Sequence, residues 1–382
     1  MVDAKCVKEV IMLDYLGKNV FKLGFGLMRL PKNADGSIDI AQTSEMVDRF
    51  IAAGGTYFDT AYVYEGSEEA ARKALVERHP RESYTLATKL NAWMQCHDEA
   101  SAKQQLYTSL ERTGAGYFDY YLLHGLMRSN YTKYDEYHLW DFVKEQKEKG
   151  LIKHYGFSFH ADPALLEEVL TAHPDVDFVQ LQLNYADWEN PGTASRECWE
   201  IARRHGVSIV VMEPLKGGAL ADPIPAVKKI FKDAAPDASV VSWGIRYAAS
   251  LDGVITVLSG MSNMEQMEEN LSYMKDFKPL TGAEQEIIRK AQDALNADKS
   301  IPCTACHYCT DGCPMNIPIP EIIAVANRQH NNEGFRGVRE YGIATTRKGK
   351  ASDCVQCGQC ENACPQHLGI IEYLQQCAKV FE

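Results

Sequence analysis

Between about residue 20 and residue 275, short apolar runs alternate with longer stretches in which apolar residues recur at helical spacing. The short runs are KLGFGL (22–27), TYFDT (56–60), YTLAT (84–88), FDYYLLH (118–124), HYGFSF (154–159), FVQLQLN (178–184), SIVVMEP (208–214) and GVITVLSG (253–260). Rich in β-branched and aromatic residues, they predict strands covered on both faces. SEMVDRFIAAG (44–54), EEAARKALVER (68–78) and YDEYHLWDFVKEQKEKG (134–150) predict helices between them. Several helical stretches stop at a glycine, which suits a C-terminal cap. Eight strands separated by helices over roughly 250 residues is the count of a (β/α)8 TIM-type barrel. A doubly wound sheet is the competing arrangement, and it usually has fewer strands. The first turn, GFGLMRLP, lacks the spaced third glycine of a dinucleotide fingerprint.

Residues 1–20 read as a two-stranded lead-in with a turn near LGKN (16–19). After the barrel pattern comes a polar helix, GAEQEIIRKAQDALNADKS (282–300), and then a tail of different character with one further helical pattern, IPEIIAVANRQ (319–329). The expected division is a barrel over 1–280, then a linker helix and a small, mainly α-helical ferredoxin-like domain over 281–382.

Composition adds little to this picture: 45% hydrophobic and 24% charged residues are ordinary for a globular chain. The net charge of −12 is spread along the sequence with no Lys/Arg run of nucleic-acid type, so DNA and RNA are not expected partners. The N-terminus lacks an apolar signal core and no apolar run approaches membrane-spanning length. The expectation is a cytoplasmic protein that binds no membrane, in a compartment that disfavours disulfides.

That bears on the cysteines. Cys303, Cys306, Cys309 and Cys313 are spaced C-x2-C-x2-C-x3-C with Pro314 following, and Cys354, Cys357, Cys360 and Cys364 repeat the spacing before Pro365. The spacing is that of bacterial two-cluster ferredoxins. Three cysteines two residues apart let a tight loop wrap one cubane, while the fourth lies too far round and reaches the other. Two 4Fe–4S clusters are therefore expected, with crossed ligation. Cys303, Cys306, Cys309 and Cys364 would hold one; Cys354, Cys357, Cys360 and Cys313 would hold the other. Zinc normally takes paired C-x2-C knuckles with longer separations. Cys6, Cys96, Cys198 and Cys377 are scattered and read as ordinary thiols. Oxygen-sensitive clusters suggest an anaerobic host.

Barrel active sites lie at the C-terminal ends of the strands. In order, those ends present Asp59 in FDTAYVYEGSE, Tyr64 in the loop after it, Lys89 in LATKL and His124 in YYLLHG. Singly, each has an ordinary structural reading. Together, from successive strands, they would converge on one mouth. FDTAYVY…SE, ATKL, LLH, GFS and VMEPL…G, in this order along nearly the whole barrel, resemble the aldo-keto reductase family. With the cysteine-rich tail, the chain is similar to a subfamily that carries a C-terminal ferredoxin-type domain. The resemblance implies a catalytic tetrad of Asp59, Tyr64, Lys89 and His124. Carbonyl reduction by hydride leaves an alkoxide that must be protonated. Tyr64 would be the proton donor, the Lys89 ammonium would lower its pKa, Asp59 would hold the lysine, and His124 would orient the carbonyl.

The resemblance also implies NAD(P)H contacts: Gly26 and Met28 after the first strand, Ser158 and Gln180 at the carboxamide, and Met212 on the nicotinamide face. Leu215 and Gly217 would line the pyrophosphate path, with Gly260, Ser262, Gln266 and Asn270 at the adenosine phosphates. Phe159 stands where the family usually has asparagine. Glu265, Glu268 and Glu269 disfavour a 2′-phosphate. Met28, Trp93, Tyr131 and Tyr185 are candidate walls for a small-molecule carbonyl substrate. A nicotinamide passes two electrons as hydride and a cluster ordinarily passes one, so three readings stay open. The chain is a nicotinamide-dependent carbonyl reductase whose clusters transfer electrons, sense redox state or dock a redox partner protein; or a cluster-fed one-electron reductase; or an electron-transfer or redox-sensing module on a relic barrel.

Overall fold

The structure, a computed structural model, describes residues 16–17, 20–298, 300–331 and 337–382. The expected two-stranded lead-in lies almost wholly outside them. Eight parallel strands close into a barrel in chain order: β1 Leu23–Gly26, β2 Tyr57–Asp59, β3 Thr85–Leu90, β4 Phe118–Leu126, β5 Ile152–Phe159, β6 Phe178–Gln182, β7 Ser208–Met212 and β8 Val254–Ser259. Each falls within or overlaps one of the eight apolar runs of the sequence.

Side chains alternate along a strand, so every second residue faces the barrel axis. At the lower end these residues are apolar: Tyr57, Ala87, Tyr120, Leu122, Phe178 and Val210 form one buried cluster. Two residues further up the same strands the inward positions turn polar, with Asp59 after Tyr57, Lys89 after Ala87, His124 after Leu122 and Gln180 after Phe178. Apolar packing thus plugs the barrel below a polar mouth. Gly156 has a steric reason to be glycine, because a Cβ there would collide with the carbonyl oxygen of Phe178 on the adjacent strand.

Two helices differ from expectation. The stretch 134–150 is broken into Thr132–Glu136 and Leu139–Glu148, separated by His138 in left-handed conformation at φ 49°. The stretch 68–78 begins as the α-helix Ser67–Ala71 and widens to a π-helical turn over Arg72–Val76. The helix Gly282–Asn296 packs on the barrel's flank, where Ile288 and Ala291 join Tyr185, Phe231 and Trp243. It starts with a capping box between Thr281 and Glu284.

The tail is helical, with Ile319–Asn331, Gly337–Ala344 and Ile370–Phe381 surrounding the cysteine loops. Its own core unites Ile317, Ile322, Ile323, Tyr341, Leu374 and Phe381 with Cys309, Cys360 and Cys364. No helix among the described residues is long and apolar enough to cross a membrane.

Candidate active site and iron–sulfur centre

The four tetrad residues come together at the mouth. Lys89, fully buried, donates from Nζ to Asp59 and to the carbonyl oxygen of Thr60 at 2.7 Å. The same ammonium stands 5.2 Å from the centroid of the Tyr64 ring, and His124 meets that ring edge-on at 5.8 Å. β4 shifts register against β5 between Leu123 and Leu126, where Gly125 takes φ 70°. Such a bulge re-aims the adjacent side chain. It places His124 inside β4 instead of at its end.

Electrostatics depart from the sequence expectation in one respect. Burial pushes the Tyr64 phenol well above its usual value, with Tyr308, Asp59 and Glu213 adding to the rise and Arg29 opposing it. The expected lowering by Lys89 does not govern it, because that ammonium faces the ring and is bound to Asp59. Burial also lowers Lys89 against the pull of Asp59 and Glu68, and raises Asp59 against the pull of Lys89. Burial, with Lys89 and His160 beside it, holds His124 well below its usual value, so the imidazole is neutral.

A cavity of about 190 Å3 opens beside the tetrad. Asp59, Tyr64, His124, Ser158, Gln180, Met212 and Gly260 line it from the barrel, as do Gly26, Met28, Leu215 and Gly217. Trp93 lines a smaller adjoining cavity. Tyr185 lies elsewhere, under the helix Gly282–Asn296, and Tyr131 packs on the hydrophobic core. Neither is a wall of the catalytic cavity. Sequence reasoning missed Arg29, His160, Glu213 and three residues of the tail, Cys306, Tyr308 and Pro365, all of which border the same space.

The tail therefore sits on the barrel mouth. Gln182 and Gln366 exchange amide hydrogen bonds at 3.3 and 3.1 Å. Gln182 also donates to Asp187 at 2.8 Å, and Asp187 accepts from Lys216, which knits the contact to the loop after β7. Thr304, between the first two cysteines, presses its carbonyl oxygen against Gly217, where a Cβ would collide with it.

The cysteines fall into two groups of four. Cys303, Cys306, Cys309 and Cys364 lie within one another's electrostatic reach. Cys313, Cys354, Cys357 and Cys360 line one small cavity. Both loops adopt left-handed backbone at equivalent places: Ala305, His307 and Asn316 in the first, Gln356, Gly358 and His367 in the second. Such turns aim backbone N–H groups inward, where they stabilise anionic sulfur. The Ala305 N–H already donates to Cys303 Sγ at 3.5 Å. Among the described residues no cysteine forms a disulfide, and no three metal-binding side chains converge on a point that could hold a single ion. The two sets of four neighbouring thiols fit the paired clusters that the spacing implies. Cys96 and Cys198 pack in the barrel core, Cys377 is buried in the tail core that also holds Cys309, Cys360 and Cys364, and Cys6 lies outside the described residues.

The residues expected to hold a nicotinamide dinucleotide fit it at one end only. At the nicotinamide end, Gln180 keeps a buried Oε1 without a partner, Met212 is a wall, and Ser158 accepts from the Gly125 N–H at 2.7 Å. At the phosphate end the side chains are engaged with one another. Gln266 accepts from the Ser262 N–H at 2.7 Å, Ser262 donates to the Arg29 carbonyl at 2.8 Å, and Asn270 donates to Ser259 at 3.0 Å. Ser262, Gln266 and Asn270 do not reach the cavity. Between the two ends, Arg29 donates to the Gly217 carbonyl at 3.0 Å and Thr304 covers that glycine. Leu215, Gly217 and Gly260 still border the open cavity, with Thr304 packed against one side of Gly217.

The aldo/keto reductase family model matches residues 22–293. The chain belongs to the aldo/keto reductase family. A 4Fe-4S dicluster domain model matches residues 302–368, so this aldo/keto reductase carries an iron–sulfur domain. An aldo-keto reductase of Mycolicibacterium vanbaalenii is 29% identical over 279 residues, covering 71% of this chain and 88% of the relative. The holo form of an aldo-keto reductase from Bacillus halodurans superposes with a TM-score of 0.58 at 26% identity, covering 73% of this chain and 95% of that one. A Klebsiella pneumoniae aldo/keto reductase in complex with NADP and acetate shares the fold at 19% identity, with a TM-score of 0.58 over 72% of this chain and 92% of that one.

Proposed function

We propose that this oxidoreductase reduces a small conjugated carbonyl compound held between Tyr64, His124 and Tyr308, with its reducing equivalents arriving through the iron–sulfur domain. One observation carries the reading: Cys306 borders the same cavity as Tyr64 and His124, and Thr304 beside it packs against Gly217 at the cavity's edge. A 4Fe–4S cluster on Cys303, Cys306, Cys309 and Cys364 would supply single electrons at that wall, and a second on Cys313, Cys354, Cys357 and Cys360 would lie farther out.

The chain's own residues supply the rest. Hydride reduction of a carbonyl consumes one proton, whereas reduction by single electrons consumes two. Tyr64 keeps its proton at neutral pH and is the donor to the carbonyl oxygen. Glu213 is a second proton holder on the same wall: burial raises its carboxyl, and its Oε2 has no partner. Neutral His124 orients the carbonyl oxygen. Lys89, fixed on Asp59, offsets the charge that grows there. Iron–sulfur potentials span about −700 to +450 mV. A single electron added to an isolated carbonyl stays localised and needs a far stronger reductant. A quinone, enone or α-dicarbonyl spreads the added electron and comes within reach.

Nicotinamide-dependent reduction is the second reading, and the unpartnered Oε1 of Gln180 favours it. Titration of anaerobically reconstituted protein with NADH and NADPH, followed by nucleotide fluorescence, separates the two. The cluster-fed reading expects no saturable binding. Micromolar binding of either nucleotide would restore the nicotinamide reading.

A further inference from the structure

The catalytic cavity has a side chamber. A space of about 30 Å3 adjoins the larger one of about 190 Å3, and His124, His160, Tyr308 and Pro365 border both. The two spaces therefore meet beside the His124 imidazole. Their linings differ. Arg29, Asp59 and Glu213 border the larger space, whereas no Asp, Glu, Lys or Arg among the described residues borders the smaller. Trp93, Met94 and Met127 stand on the barrel side of the chamber, and Tyr308, Ala363 and Pro365 on the tail side. Its other polar members are spent or uncharged. Asn91 accepts from the Trp93 N–H at 3.2 Å and from the Met94 N–H, and it donates to Gln105 at 3.3 Å. Burial holds His124 and His160 below the usual imidazole range, so both are neutral. The Trp93 indole is fixed in place, because its Nε1–H donates to the His124 carbonyl at 3.3 Å.

Resting on the carbonyl-reducing reading above, we propose that this chamber receives the apolar substituent of the reacting carbonyl and limits it to a short alkyl group. The substrate class narrows to conjugated methyl or ethyl ketones whose second, polar end stays in the larger space. Size sets the limit. A buried water needs about 10–15 Å3, so the chamber takes about two or three non-hydrogen atoms and excludes a six-membered ring. Protein interiors are closely packed, so a wall of this kind responds to a single methylene. In an apolar pocket one methylene changes the rate by about 10–200-fold. Much of the wall belongs to the iron–sulfur domain, which thereby selects the substrate as well as holding the clusters.

The test uses full-length, cluster-loaded protein and 1-phenyl-1,2-propanedione, which carries a methyl group on one carbonyl and a phenyl group on the other. Electrons come from reduced methyl viologen in one series and from NADPH in another. Either carbonyl takes up two electrons and two protons to give its own hydroxyketone, and chromatography separates the two products. In the wild type, reduction beside the methyl group should exceed the product ratio of the dye alone by about tenfold or more. Met127→Ala opens the chamber, and the ratio should fall toward that of the dye. A wild-type ratio equal to the dye's, or one that Met127→Ala leaves unaltered, would overturn the proposal while leaving carbonyl reduction standing. Should Met127→Ala lose a cluster, Met94→Ala carries the same comparison. No hydroxyketone from either electron source, with 2,3-butanedione equally inert, would sink the carbonyl-reducing function and the chamber's role with it.

Discussion

The carbonyl oxygen of Thr304 lies against Gly217, so the first cysteine loop closes over the segment that follows β7. A barrel of this family and an iron–sulfur domain therefore share one cavity, and what each contributes can be tested residue by residue.

Gly217 adopts φ 66° and has no room for a side chain under Thr304. A left-handed non-glycine residue costs about 1–2 kcal/mol, and the collision adds to it. Gly217→Ala is expected to lift the tail from the mouth. Limited proteolysis should cut faster between the helix Gly282–Asn296 and Cys303. An unchanged cleavage rate and melting temperature would mean the contact is loose.

Tyr64→Phe removes the proton donor and leaves the ring packing against His124. Proton donation of this kind contributes about 10²–10⁴-fold. Turnover should fall by that factor with cluster absorbance unaltered. Full activity would take Tyr64 out of the mechanism. Glu213→Gln should also slow turnover. The wild type should lose activity as rising pH takes the proton from Glu213, a loss the variant does not show.

Crossed ligation makes Cys364 and Cys313 informative. Cys364→Ala should damage the cluster shared with Cys303, Cys306 and Cys309, and Cys313→Ala the one shared with Cys354, Cys357 and Cys360. Each is expected to perturb a different electron paramagnetic resonance signal of the reduced protein. If Cys364→Ala instead perturbs the signal lost in Cys357→Ala, the ligation is uncrossed.

His160 sits where barrel and tail meet, and burial together with His367 pushes it down to about 4 from 6.5. The folded chain keeps this imidazole neutral where the unfolded chain takes a proton. Its contribution to stability is therefore whole above pH 6.5 and is lost as pH falls toward 4. A gap of that size corresponds to roughly 3 kcal/mol. His160→Gln should flatten the fall in unfolding free energy across this window, and an unaltered slope would contradict the assignment.

The barrel was legible because its strands announce themselves as apolar runs and its catalytic residues stand at fixed places on them. Asp59, Lys89 and His124 follow inward-facing apolar residues by two positions, so period and strand order together bring them to one mouth. The two four-cysteine loops were legible from their repeated spacing. What the sequence hid depends on docking. Nothing in CTACHYC says that Cys306 and Tyr308 face Tyr64, and no local signal separates Glu213 in VMEPLKGG from a surface carboxylate. The paired glycines at 217–218 were the one hint of a close approach. The direction of the Tyr64 shift was also hidden, because burial under the tail outweighs the neighbouring ammonium. The break at His138 was hidden for a simpler reason: the apolar spacing continues across it.

The most direct test is a single turnover without nucleotide. Protein with both clusters reduced and the excess reductant removed is mixed anaerobically with an α-dicarbonyl, and the hydroxyketone formed is counted. Two stored electrons suffice for one two-electron reduction, so the account expects about one product per chain, with both clusters reoxidised. No product until NADH or NADPH is added, with the clusters still reduced, would contradict it.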